Sequence, residues 1–198
     1  MPILHTQADM GALGESVREQ TIAKLGQAGW ERNVSLIDGV WDRIEAAIRS
    51  WSLPYDKVRI YQDALPVCGR EIQIVKDLAA AGSRNHRLLL LLAESGATIM
   101  GTESAALLVQ EYKLAKQALG AGGARAGQMA SAHYKARSQA LLAERDRFMA
   151  ERISSTLQPG ETGILFVGML HSLENWLAKD IRVEHPFPLQ NAMESQKP

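Results

Sequence analysis

The stretch ILFVGML, residues 164–170, is an unbroken apolar run that follows the turn-forming sequence QPGETG and is closed by His171. It is far shorter than the roughly 20 residues needed to cross a bilayer. It also lacks the polar alternation of a half-exposed strand, so both of its faces must be covered. That is the signature of a strand inside a parallel sheet with helices on each side. The remainder of the chain therefore has to supply further short strands and enough amphipathic helix to bury them.

Both are present. KVRIYQDALPV (57–67) alternates Val58 and Ile60 against Lys57, Arg59 and Tyr61, a period of two that predicts a strand ending near Asp63. ATIMG (97–101) is a second short apolar strand, PILHTQAD (2–9) reads as a first strand, and DIRVEH (180–185) as a last one. Between them lie helical patterns. Residues 15–25 suggest a helix interrupted by Gly26 and Gly29, and residues 33–51 carry Leu36, Val40, Ile44, Ala47, Ile48 and Trp51 at three- and four-residue steps. REIQIVKDLAAAG (70–82) and NHRLLLLLAESG (85–96) each end in glycine, and Ser83 is placed to cap the second. TESAALLVQEYKLAKQAL (102–119) and the Ala-rich segment 126–157 predict two further helices, joined by the flexible hinge GAGGAR (120–125). SLENWL predicts a helix or helical turn, and the tryptophans, falling mostly at apolar helical positions, read as core or interface.

Strands alternating with helices at this spacing predict an α/β fold, a mostly parallel central sheet flanked by helices, with a long helical segment around 104–157. With 198 residues the chain suits one domain, 1–198, in which that helical segment is an insertion. Lys plus Arg and Asp plus Glu both number 22, so the chain lacks the basic footprint of a nucleic-acid or anionic-membrane binder. Cys68 is the one cysteine, which excludes an internal disulfide and a cysteine-only zinc site. That usage fits a reducing cytoplasm, and the amino-terminal residues do not read as a signal peptide.

In a parallel sheet the polar residues at strand carboxyl ends converge in one crevice. The predicted ends carry His5, Asp63, Glu103 and His171, two imidazoles and two carboxylates, which are ligand types for a divalent cation. Each has a plainer reading. His171 can bond backbone, and Glu103 can be a first-turn acid behind a Thr102 cap. Asp63 can be a turn residue before Pro66, His5 and Asp9 parts of a simple loop, and Arg145 one half of an exposed pair with Glu144 or Asp146. Cys68 lacks a positioned base and reads as a buried structural thiol. Ser83, Arg84, Asn85 and His86 sit where a helix start could hold an anion, with helix capping the competing role. His133 and His185 have no supporting constellation.

The block ERDRFMAERI…GETGILFVGMLHSLENWL, in which a helix bears Arg145 and Asp146 and a strand ends in Gly168 and His171, resembles the carboxyl-terminal signature of the TraB/GumN/Tiki superfamily. That superfamily also takes in ChaN-like haem-binding proteins and erythromycin-esterase-like hydrolases. GATIMGTESAALLVQEY looks like its Gly-Leu-Glu-Thr stretch, with Glu103 in the acidic place. VRIYQDALPV lies where it has a strand ending in an acid, here Asp63 in place of the usual glutamate. ILHTQAD stands where a first Gly-x-x-His belongs, but PILH lacks the glycine.

The resemblance implies a metal-dependent hydrolase of a small molecule or peptide. In it His171, Glu103 and His5 hold a divalent metal ion, Asp63 or Glu103 accepts the proton of a bound water, and Arg145 stabilises developing negative charge. The alternative on the same fold is a non-enzymatic ligand-binding or regulatory protein, haem binding being one precedent. A homo-oligomer built on the helix 126–157 is a third reading.

Overall fold

The computed structural model describes residues 1–4, 6–120 and 128–186. His5, most of the predicted hinge (121–125) and the tail from 187 onward lie outside the described residues.

Four strands form one parallel sheet: β1 (Pro2–Ile3), β2 (Val58–Gln62), β3 (Thr98–Met100) and β4 (Thr162–Gly168), in the order β1-β4-β2-β3. The register sets Ile60 beside Ile164 on one side and Ile99 on the other, and Ile3 beside Gly168. β4 therefore lies inside the sheet, as its apolar run requires.

Helices cover both faces. The helices are α1 (Gly14–Arg49), α2 (Glu71–Ala80), α3 (Arg84–Glu94), α4 (Ala105–Gly120) and α5 (Gln128–Thr156). On one face Val40, Trp41, Ile44 and Ile48 of α1, Val75 of α2, and Leu88, Leu89 and Leu92 of α3 bury Val58, Ile60, Ile164 and Phe166. On the other, Met149, Ala150 and Ile153 of α5 cover Tyr61, with Leu165 and Val167 packed beside them. Alternate residues of β4 thus enter different cores, the period of two expected of a strand. Each fully buried aliphatic side chain contributes roughly 1.5–3 kcal/mol, and the two cores together hold the sheet between its layers.

The predicted helices at 15–25 and 33–51 run into one another. Gly26 breaks the helix with φ 72° and ψ 170°, a conformation that side-chain-bearing residues resist, and the chain returns to helix directly rather than at residue 33. The predicted strand 2–9 is cut to two residues, because Asp9 accepts hydrogen bonds from both the backbone N–H and the hydroxyl of Thr6 and starts a 3-10 turn over Gln7–Leu13. The predicted strand at 180–185 does not form. Arg182 and Glu184 pair with each other in solvent, and Ile181 packs toward the α5 face instead of joining a sheet edge. SLENWL makes a single 3-10 turn, Glu174–Trp176, with the Arg147 guanidinium over the Trp176 ring. Among the described residues no helix is long and apolar enough to cross a membrane.

Candidate functional site

Three strand ends and one helix build a polar cluster on the α5 face. Asp63 continues β2 by one residue, its N–H donating to the Phe166 carbonyl at 2.8 Å. The chain then turns through Ala64, which holds φ 64°, and Leu65–Val67 runs on beside the chain leaving β3, parallel to it. There Leu65 O accepts from the N–H groups of Thr102 and Glu103, Val67 N–H donates to Glu103 O at 2.9 Å, and Pro66 bridges Glu103. Gly101 makes this approach possible, since a Cβ there would lie 2.8 Å from the Val67 Cα. Glu103 is thereby fixed ahead of α4 rather than in its first turn. Thr102 accepts from Gln62 N–H, and the Ser104 hydroxyl, not Thr102, accepts from Leu107 N–H at the start of α4.

α5 presents the stripe Leu141, Arg145, Met149 and Ile153 at four-residue intervals toward the sheet, all buried. Arg145 occupies what is otherwise a core position and is 4% exposed, so the exposed ion pair expected as its plainer reading does not occur. Its guanidinium reaches three carboxylates: Nη2 to Asp63 Oδ1 at 2.7 Å and to Glu103 Oε1 at 2.5 Å, Nε to Glu103 at 3.2 and 3.3 Å, and Nη1 to Glu111 Oε1 at 2.6 Å. Arg152, two turns along, donates to the Gly101 carbonyl at 3.1 Å and ties α5 to the end of β3.

β4 ends at Gly168, whose N–H donates to Asp63 Oδ2 at 3.0 Å. A turn closed by His171 N–H to Gly168 O brings the imidazole back over the cluster. Asp146 fixes it: Oδ1 lies 2.5 Å from His171 Nδ1, and Oδ2 accepts from Ser172 N–H at 2.9 Å. The other ring nitrogen, Nε2, faces Asp63 Oδ2 at 3.4 Å. One ligand atom each from Asp63, Glu103 and His171 lie within 4.8 Å of one another, which makes these three a possible cation site.

The electrostatics follow from burial. Desolvation pushes the Glu103 carboxyl up, and the neighbouring Asp63 charge adds to this, while Arg145 pulls the other way; the net is upward. For His171, burial alone would lower the pKa, but the carboxylates of Asp63 and Asp146 outweigh it and the net is upward. Arg145 is raised, because its carboxylate partners outweigh the cost of burying it. Four carboxylates thus surround one guanidinium and one imidazole.

Of the residues singled out in the sequence, Asp63, Glu103, Arg145 and His171 come together; His5 lies outside the described residues. Asp146, part of the helix motif, is the group that orients His171. Glu111 was not legible, although it lies two turns along α4 from the strand end that bears Glu103. Cys68 is exposed, against the expectation of a buried thiol. Ser83 caps α3, accepting from His86 N–H, and is itself bonded to Asp9 and to His86 Nδ1 at 2.7 Å. His185 pairs with Glu174 at 2.8 Å on the surface. The open α1 groove lined by Trp30, Val34 and Asp38 includes none of the cluster's residues. No protein-family model, curated protein or solved structure matches the chain.

Proposed function

We propose that the chain is a hydrolase whose reaction centre is the Asp63, Glu103 and His171 cluster, with these three side chains holding a divalent cation. One observation carries this reading: Asp146 engages His171 Nδ1, so that Nε2 is turned toward Asp63 and Glu103. A carboxylate on the far nitrogen is the usual way a protein fixes the tautomer and aim of a metal-binding imidazole. The donor set, one nitrogen and two carboxylate oxygens, suits a borderline or hard divalent ion.

A cation bound there would lower the pKa of a coordinated water toward about 7 and polarise a substrate carbonyl. Asp63 or Glu103 would accept the proton of the coordinated water and return it to a leaving group. Asp63 is kept in place by the Gly168 N–H and by Arg145 Nη2. Arg145 acts as a positioning residue, since each of its three nitrogens already meets a carboxylate and it spans Asp63, Glu103 and Glu111. The exposed Met169 and Leu170, between Gly168 and His171, give the crevice an apolar rim suited to a small molecule or peptide.

The test is hydrolysis of a panel of simple ester and amide substrates by wild type and His171→Ala, with and without added chelator. Activity lost on chelation and on substitution is expected. Equal activity in all four samples would overturn the reading.

The saturation of Arg145 favours a second reading, a ligand-binding protein that does not turn its ligand over. Haem is the ligand that the family resemblance suggests. A saturable absorption band on titrating haem, with no hydrolysis of the panel, is what that reading predicts.

A further inference from the structure

On the sheet face opposite Arg145, two buried side chains carry polar atoms that the proposed chemistry does not use. Asn85 is 1% exposed, and neither its Oδ1 nor its Nδ2 has a hydrogen-bonding partner. Gln62 is also 1% exposed; its Nε2 donates to the Asp63 carbonyl, and its Oε1 has no partner. Leaving such a group unpaired in a protein interior is costly enough that native structures seldom do it without a use.

Their places in the fold bring them to one level. Gln62 follows Ile60 on the same face of β2, and Ile60 packs in one core with Leu88 and Leu89 of α3. Asn85 is one turn ahead of Leu88 and Leu89 on that same inward helix face. In a parallel sheet the covering helix runs opposite to the strands, so the start of α3 lies at their carboxyl ends. Ser83 bonded to Asp9, just past β1, fits this orientation. Asn85 and Gln62 thus stand at the carboxyl edge of the sheet, across β2 from the Asp63 cluster. The neighbouring charges are already engaged: Asp9 accepts from Thr6 and Ser83, Arg84 donates to Asp42 and Glu45, and Asp63 accepts from Arg145 and the Gly168 N–H.

We propose that Asn85 and Gln62 form a recognition subsite for a carboxamide group. Two carbonyl acceptors and one NH₂ donor are what they offer. An anion would bring further acceptors against Oδ1 and Oε1, and a simple cation would leave Nδ2 unpaired. A carboxamide satisfies all three, its N–H groups donating to Asn85 Oδ1 and Gln62 Oε1 while its carbonyl accepts from Asn85 Nδ2. Together with the reading above, this makes an amide-bearing molecule the substrate. The subsite itself is argued without the cation.

The test uses chelated, metal-free protein and acetamide as the probe, followed by nuclear magnetic resonance of the asparagine and glutamine side-chain amides. A saturable shift of the Asn85 NH₂ signals with acetamide, absent with acetate, is expected. Asn85→Leu should weaken that binding at least tenfold. It should also hold or raise the melting midpoint, by about 2–4 °C, because it removes polar atoms unpaired in the free protein. A fall in the midpoint of that variant would overturn the proposal, since it would mean that Asn85 serves the fold. So would the lack of a saturable acetamide shift. Should Asn85→Leu not fold, Gln62→Met decides the matter: weakened acetamide binding there supports the subsite, and unchanged binding overturns it. Because no metal is present, these outcomes stand apart from the success or failure of the hydrolase reading.

Discussion

His171 Nδ1 lies 2.5 Å from Asp146 Oδ1, and the same carboxylate accepts the Ser172 N–H, so one aspartate on α5 fixes both the ring and the backbone of the loop after β4. Removing its charge should leave the fold in place and release the imidazole. Asp146→Asn is expected to weaken divalent-cation binding by about 10- to 100-fold, the usual effect of losing such a partner. Calorimetric titration of zinc or manganese into both proteins measures this.

Arg145 holds three carboxylates, two of them buried with it. Arg145→Met should therefore destabilise the protein by about 3–5 kcal/mol, because Asp63 and Glu103 would lose their countercharge in a desolvated setting. Adding Glu103→Gln should restore part of that loss, as residues within one network do not add independently. Urea unfolding of the two single variants and the double variant reads the coupling.

Asp9 gives the fold an acid limit. Burial alone would raise its pKa, but hydrogen bonds from His86, Ser83 and Thr6 outweigh this and hold it down at about 2. A carboxyl depressed in the folded state contributes stability that is complete above its unfolded value, near 3.9, and is lost as pH falls toward about 2. The contribution is about 2 kcal/mol. Asp9→Asn should lower stability at neutral pH and remove most of this dependence, as judged by unfolding at pH 7 and pH 2.5.

Ala64 holds a left-handed backbone, φ 64°, in the turn that sends Leu65–Val67 past the end of β3. A side chain there costs about 1 kcal/mol that glycine does not incur, partly offset by the greater freedom of glycine when unfolded. Ala64→Gly should be neutral or stabilising by about 0.5 kcal/mol, whereas Ala64→Val should destabilise, both read from melting curves.

The fold was legible where one pattern dominated. The apolar run 164–170 predicted an interior strand, and β4 is one; Val40, Ile44 and Ile48 recur at helical spacing and bury that face of α1. Legibility failed where a local polar contact beat the pattern. Asp9 ends β1 early by capping from three residues ahead, and Arg182 and Glu184 prefer each other and water to a sheet edge. In the site, Asp63, Glu103, Arg145 and His171 could be picked out because strand ends converge. Arg145 had a further signal: it replaces an apolar residue in the stripe Leu141, Met149 and Ile153. Glu111 gave no such sign, since it is half-exposed on α4 and only the approach of α5 brings it to Arg145. The orphaned polar atoms of Asn85 and Gln62 were illegible for the same reason: a polar residue amid leucines shows its lack of a partner only in three dimensions.

The central claim is that Asp63, Glu103 and His171 hold a divalent cation, and elemental analysis of the purified protein tests it most directly. Wild type is expected to carry close to one equivalent of a divalent metal per chain, with His171→Ala and Asp63→Asn carrying little under the same preparation. No metal in wild type, even after incubation with zinc, manganese and magnesium in turn, or equal loading of all three proteins, would contradict the claim.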